Sequence, residues 1–210
     1  MIVHTPLAVS HRPSHPNSKE FLDINILDVA QQLTIVESRM YLRIKGTECF
    51  RRSREETRNT DSITAITRYS DRVSVTHFRP SIFILTTGVD SYLGSVFSFV
   101  GRICVVAGVS TEVFHYTCGC KSSCAFLVEL WLNTPQNCRR IQNYSTMVSI
   151  IAGLNAATVR RLQRSWDLVT PQFLITFNIC EAIIDPHRNF KNYRHTLAII
   201  SPPCVPYIGE

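Results

Sequence analysis

Between Ile26 and Ile200 the apolar residues recur three and four positions apart, in separate runs. That spacing puts each run on one face of a helix and commits most of the chain to helical structure. The first run is Ile26, Val29, Leu33, Val36 and Met40. Asn25 precedes it as a candidate N-cap, and Asp28 falls in the first turn, where a carboxylate suits the helix dipole. Gly46 offers a stop. Ile63, Ile66 and Val73 indicate a second, weaker helix, and the charged residues between 51 and 61 read as an exposed connection. Further runs follow: Phe126, Leu127, Leu130 and Trp131; Met147, Ile150, Ile151 and Leu154; Val159, Leu162 and Trp166; Phe173, Phe177, Cys180 and Ile184; Phe190, Tyr193, Leu197 and Ile200. Three prolines between Ser201 and Gly209 end the last helix.

Two segments lack this period. Residues 1–20 are rich in Pro, His and Ser and read as a flexible lead-in. Residues 80–124 are rich in Val, Phe, Ser and Gly, nearly without charge, and read as an atypical apolar insert. Ile82 to Gly101 has the length of a membrane span, but Asp90 stands near its middle, where a charge is expensive. Buried strands or an unstructured insertion are the other readings of the insert. Outside it no strand alternation is visible. The expected fold class is all-α, with helices packed on one core.

The 210 residues allow one domain or two, and an apolar fraction of 45% suffices for a core. A net charge of +6 suits a solvated surface as readily as an anionic partner, and no nucleic-acid role is inferred from it. Eight cysteines are scattered. Cys49, Cys138, Cys180 and Cys204 stand alone in apolar or helical contexts, as buried reduced thiols do, and no apolar signal segment opens the chain. Both point to the cytoplasm. Cys118, Cys120 and Cys124, with His115, crowd into ten residues without a second pair at zinc-site distance, so they read as unpaired thiols. No GxSxG, HExxH or GxxxxGK[ST] occurs, and Glu129, Glu181 and Asp185 are dispersed along helices, where carboxylates usually face solvent. Taken alone, these residues describe a helical domain with an interaction surface, no metal and no cofactor.

Three stretches carry a resemblance. Phe21 to Ser38, continuing to Ile44 and Glu48, contains Ala30, Gln32, Leu33, Thr34 and Glu37 in the pattern A-x-Q-L-T-x-x-E. Cys138 to Trp166 reads C-x-x-I-x-N-Y-x-T, then I-x-x-G-L-N-x-x-x-V-x-R-L-x-x-S-W counted from Ile150. Asn189-Phe-Lys-Asn-Tyr-Arg is followed by Pro203-Cys-Val-Pro-Tyr-Ile-Gly. In this order they resemble the catalytic, Cdc25-homology domain of Ras guanine nucleotide exchange factors. Residues 21–79 then form the first part of that domain and 125–210 the second.

The resemblance implies an orthogonal helical bowl that binds a Ras-family small GTPase and promotes GDP release without covalent chemistry. Such a protein would be cytoplasmic, act where its GTPase is anchored, and touch the membrane only through that partner. It places Asn155, Phe190, Tyr207 and Val148 at the GTPase. Helix termination for Asn155, and core packing for the other three, are the structural alternatives. Asn143, Leu33 and Trp166 are expected to be structural. Family members continue beyond the position of Gly209 into a hairpin that opens switch 1. The expectation from this sequence is a domain lacking the hairpin and exchanging poorly. A non-catalytic GTPase-binding fragment and a membrane-associated helical scaffold, the latter resting on Ile82 to Gly101, are the competing functions.

Overall fold

The computed structural model describes residues 26–54, 58, 60–74, 121–161 and 163–208. Among them every regular element is a helix: α1 (Ile26–Tyr41), α2 (Gly46–Ser53), α3 (Ser62–Val73), α4 (Lys121–Arg140), α5 (Tyr144–Leu154), α6 (Ala157–Arg160), α7 (Gln163–Trp166), α8 (Pro171–Ile183) and α9 (His187–Ile199). The fold is all-α, as the periodicity requires. The expected cap Asn25, the span-like Ile82 to Gly101 and the Cys118–Cys120 cluster lie outside the described residues, as do the side chains of Phe126, Leu127, Leu130 and Leu162. None of the described helices is long and apolar enough to cross a membrane.

α4 is the helix around which the others gather: α1, α5, α7 and α8 all pack on it. The main core joins Val29, Ala30 and Leu33 of α1 to Tyr69 and Val73 of α3, Trp131 and Leu132 of α4, and Met147, Ile150 and Ile151 of α5. Phe177 and Cys180 of α8 and Tyr193 of α9 close it. Leu33 sits at its centre, and Trp166 packs against its edge, half-buried. Burying a side chain such as Leu33 is worth about 1.5–3 kcal/mol.

The segment from Tyr41 to Asp61 departs from the sequence expectation. α1 ends at Tyr41, and Gly46, expected as a stop, is instead the first residue of α2. The stretch from 51 to 61, expected to be an exposed connection, holds the end of that helix and a buried acid, Asp61. Glu48 is buried, and its Oε2 accepts the Ser62 and Ile63 backbone N–H groups at 2.8 and 3.3 Å. It thereby satisfies the open N-terminus of α3, whose own N-cap residue, Asp61, makes no side-chain cap. Asp61 is buried and accepts from Arg51 Nη2 at 2.5 Å. The expected helix through Val159 and Trp166 is two short turns, α6 and α7, and not one run.

The proline-rich end is bound to the body. The Val205 carbonyl accepts the Tyr144 N–H at 2.9 Å, and the Val205 N–H donates to the Gln142 carbonyl at 2.9 Å. The Tyr41 hydroxyl donates to the Pro206 carbonyl. Tyr193 Oη accepts the Tyr207 N–H at 2.6 Å. Residues 205–207 therefore lie across the α4–α5 turn, held by α1 and α9.

A candidate partner surface at the open stripe of α5

α5 is buried on nearly every side: Tyr144 to Met147, Ser149 to Ile151, Gly153 and Leu154 are all inside. The exceptions are Val148, half-buried, with Ala152 and Asn155, both exposed. They stand at i, i+4 and i+7, which is one line along a helix. The rest of the described fold leaves this stripe open.

The helix is fixed at its start by Asn143, which is fully buried. Asn143 Oδ1 accepts the Thr146 N–H at 3.0 Å, an N-cap. Its Nδ2 donates to Thr34 Oγ1 at 2.9 Å and to Thr146 Oγ1 at 3.0 Å. The Thr146 hydroxyl donates to Glu37 Oε2. This chain of bonds ties α5 to α1 beneath the open stripe.

At the other end Asn155 is the C-cap of α5, with helical backbone angles, and its side chain enters a polar group on the surface. Nδ2 donates to Glu181 Oε1 at 2.6 Å. Oδ1 accepts from Arg160 Nε at 3.0 Å and from Arg160 Nη2. Arg160 and Glu181 face each other at 3.4 Å. Beneath them the Arg160 guanidinium lies over the Trp166 ring at 5.0 Å and the Phe177 ring at 5.8 Å. Trp166 is itself oriented by its indole N–H, which donates to the Val159 carbonyl at 2.9 Å. Helix termination and a side-chain role thus coexist at Asn155.

Phe190 is not inside the regular part of α9. Arg188, Asn189 and Phe190 have φ of 54°, 54° and 53°, a left-handed turn before the right-handed helix begins. Asn tolerates that conformation, whereas Arg and Phe adopt it at a cost of about 1–2 kcal/mol each. The Phe190 ring, half-buried, rests against the main core. Tyr207 is half-buried too, its ring 6.5 Å from that of Tyr193 in an edge-on arrangement. Its backbone is clamped by the Tyr193 hydroxyl, so contact with a partner would use its ring.

The acids expected to face solvent have partners. Glu181 belongs to the Asn155 group. Glu129 Oε1 accepts the Thr170 N–H and hydroxyl, both at 2.7 Å, at the start of α8. Asp185 accepts the His187 N–H at 3.0 Å, which holds its carboxyl below the usual range. Among the described residues no group of His, Cys, Asp and Glu could hold a metal ion. The described cysteines are free; Cys138 and Cys180 are buried, but Cys49, expected inside, is exposed on α2. Its helix is short and only Glu48 of it is buried, so the Cys49 neighbourhood has no core to enter.

The sequence profile of the RasGEF domain matches residues 28–210. The chain belongs to the RasGEF family. It is 22% identical over 196 residues to Ras guanine nucleotide exchange factor M of Dictyostelium discoideum, an alignment covering 91% of this chain and 17% of that protein. Over 72 residues it is 39% identical to Ras guanine nucleotide exchange factor C of the same organism, covering 34% of this chain and 5% of the relative. Over 90 residues it is 36% identical to guanine nucleotide exchange factor SDC25 of Saccharomyces cerevisiae (strain YJM789), covering 42% and 7%. The chain spans at most 17% of the length of these relatives. Arg160 and Glu181 were not singled out from the sequence as site residues. Arg160 stands five positions after Asn155 and Glu181 twenty-six after it, on α6 and α8, and no periodic pattern links the three.

Proposed function

We propose that this RasGEF domain binds a Ras-family GTPase across the open stripe of α5 and promotes release of its GDP. Val148 and Asn155 supply the stripe, and Phe190 and Tyr207 add aromatic contacts to the partner. The observation that carries this reading is that α5, otherwise buried all round, leaves one line of side chains unoccupied, ending in an ordered polar group. A surface helix normally carries charged or polar residues on its solvent side, whereas the open line of α5 carries Val148 and Ala152 before it reaches Asn155. The strained turn at Arg188 to Phe190 supports the same reading, since such strain concentrates where a side chain must be presented.

The action needs no covalent chemistry. A surface that holds the nucleotide-free GTPase more tightly than the GDP-bound form must, by linkage, weaken GDP binding by the same factor. Residues 21–79 and 125–210 act as two parts of one domain, with 80–124 an insert between them whose last residues, Lys121 to Cys124, already belong to α4; the packing of α1 and α3 on α4 and α5 supports this. The protein works in the cytoplasm, at membranes that anchor its GTPase.

The test is the affinity of the chain for nucleotide-free and GDP-loaded Ras, Rap and Ral, with fluorescent-GDP release alongside. Tighter binding to the nucleotide-free form of at least one GTPase is expected. Equal affinity for both forms would leave a binding fragment without exchange activity, and no binding to any would remove the reading.

A further inference from the structure

The polar group at the end of α5 says more about the partner than that it is polar. Arginine has only donors, and an ionised glutamate only acceptors. The Asn155 amide lies between them, so it can sit one way only: Oδ1 toward Arg160, Nδ2 toward Glu181. Both Oδ1 lone pairs are taken, by Arg160 Nε and Nη2. One Nδ2 hydrogen is taken by Glu181. A single hydrogen-bonding position remains on this side chain, the second Nδ2 hydrogen, and it is a donor. Arg160 is itself held in place by the faces of Trp166 and Phe177, the latter part of the main core. The orientation is thus built up from the core: aromatic rings fix the guanidinium, the guanidinium fixes the amide.

We infer that Arg160 is a positioning residue that locks Asn155 as a hydrogen-bond donor, so that the partner group opposite Asn155 is an acceptor, a carbonyl or carboxylate oxygen. The inference rests on the GTPase-binding reading for its partner, but the locking of the amide belongs to the free protein. Arg160 is 45% exposed and Glu181 30%, so the ion pair between them contributes little by itself in water. Its role is geometric: a fork of two donors fixes a plane, which a single ammonium cannot do.

The experiment uses the whole chain and the nucleotide-free GTPase it binds best. Arg160→Met keeps an apolar stem over Trp166 and Phe177 and removes every donor. Asn155→Ala removes the amide. Each is expected to weaken binding about tenfold, and the double variant no further than the weaker single, because both act through one hydrogen bond. Multiplying effects would overturn the positioning role. Asn155→Asp can still accept from Arg160 but has no donor; it should bind at least as weakly as Asn155→Ala. Wild-type affinity for Asn155→Asp would overturn the acceptor assignment. Arg160→Lys, still cationic, should not restore wild-type affinity; full restoration would make charge, and not the fork, the cause. The free protein gives an arm independent of any GTPase. The Asn155 side-chain amide should show one sharp pair of NMR resonances that shifts and broadens in Arg160→Met. If no GTPase binds but that pair behaves as expected, the functional reading fails while the locking stands. An unmoved pair overturns the locking whatever the GTPase does.

Discussion

The carboxyl of Glu37 on α1 accepts the hydroxyl proton of Thr146 on α5, in the interior and out of reach of water. Its second oxygen, Oε1, is buried without a hydrogen bond of good geometry, although the Ser145 hydroxyl lies close enough to draw its pKa down somewhat. Burial outweighs these donors and raises the Glu37 pKa above the usual carboxylate value. The same buried acid pushes the Tyr41 and Tyr69 hydroxyls and the Cys138 thiol upward, each already raised by its own burial.

A raised folded-state pKa means the folded protein binds the Glu37 proton more tightly than the unfolded chain does. The contribution of this group is complete below the unfolded pKa, about 4.3 for glutamate, and is lost as pH rises through the folded value. Glu37→Gln carries a neutral group at every pH. Thermal melts from pH 4 to 8 should show the variant gaining on the wild type as pH rises, with the two closest at the acid end. Parallel curves would show that Glu37 does not titrate with folding.

Asn143 caps α5 and joins it to Thr34 and Thr146 with both amide hydrogens. Asn143→Ala removes a cap and leaves buried hydroxyls with fewer partners, and should cost about 2–3 kcal/mol. Asn143→Asp keeps the acceptor for the cap but places a second carboxylate near Glu37, and should cost as much or more. Urea unfolding of both variants checks this.

Tyr193 ties the C-terminal segment to α9 through its hydroxyl. Tyr193→Phe keeps the ring against Tyr144, 5.8 Å away, and removes the anchor of the Tyr207 N–H. Stability should fall by about 1 kcal/mol. Hydrogen exchange at Tyr207 should quicken, while that at Val205, held by its own bond to Gln142, stays close to wild type.

Asn155→Ala and Phe190→Ala should each weaken GTPase binding by about 1–4 kcal/mol. They should differ in the free protein. Asn155 is exposed, so its loss should leave the melting temperature nearly unchanged. The Phe190 ring packs against the core, so its removal should lower the melting temperature as well. Circular dichroism and titration of nucleotide-free GTPase separate the two effects. Normal binding by both variants would move the partner surface elsewhere.

The helices were legible because burial on one face writes a period of 3.6 into the sequence, and that period survives wherever a helix has a single wet side. Ile63, Ile66 and Val73 are enough to mark α3, and all three are buried. The period blurs where a helix is short or its ends are tied by distant residues. Gly46 looked like a stop because glycine commonly ends helices, yet Lys45 and Gly46 lead into α2, whose only buried residue is Glu48. The candidate surface was legible in part: Val148, Asn155, Phe190 and Tyr207 came from motif resemblance, but no local pattern reports which side of α5 stays open.

The sequence by itself determined the helical class, the apolar faces and the family, since these depend on residue types at fixed local spacings. Tertiary structure alone decided what those residues face. Glu48 serves the N-terminus of a helix fourteen positions away from it, and Val205 crosses the turn at Gln142. Arg160 and Glu181 meet at Asn155 from different helices. Each of these contacts joins groups whose separation along the chain carries no periodic signal. The physical reason is that a buried or crowded polar group takes whichever partner the packing of apolar faces brings within about 3 Å, and that partner is set by the fold and not by the neighbouring sequence.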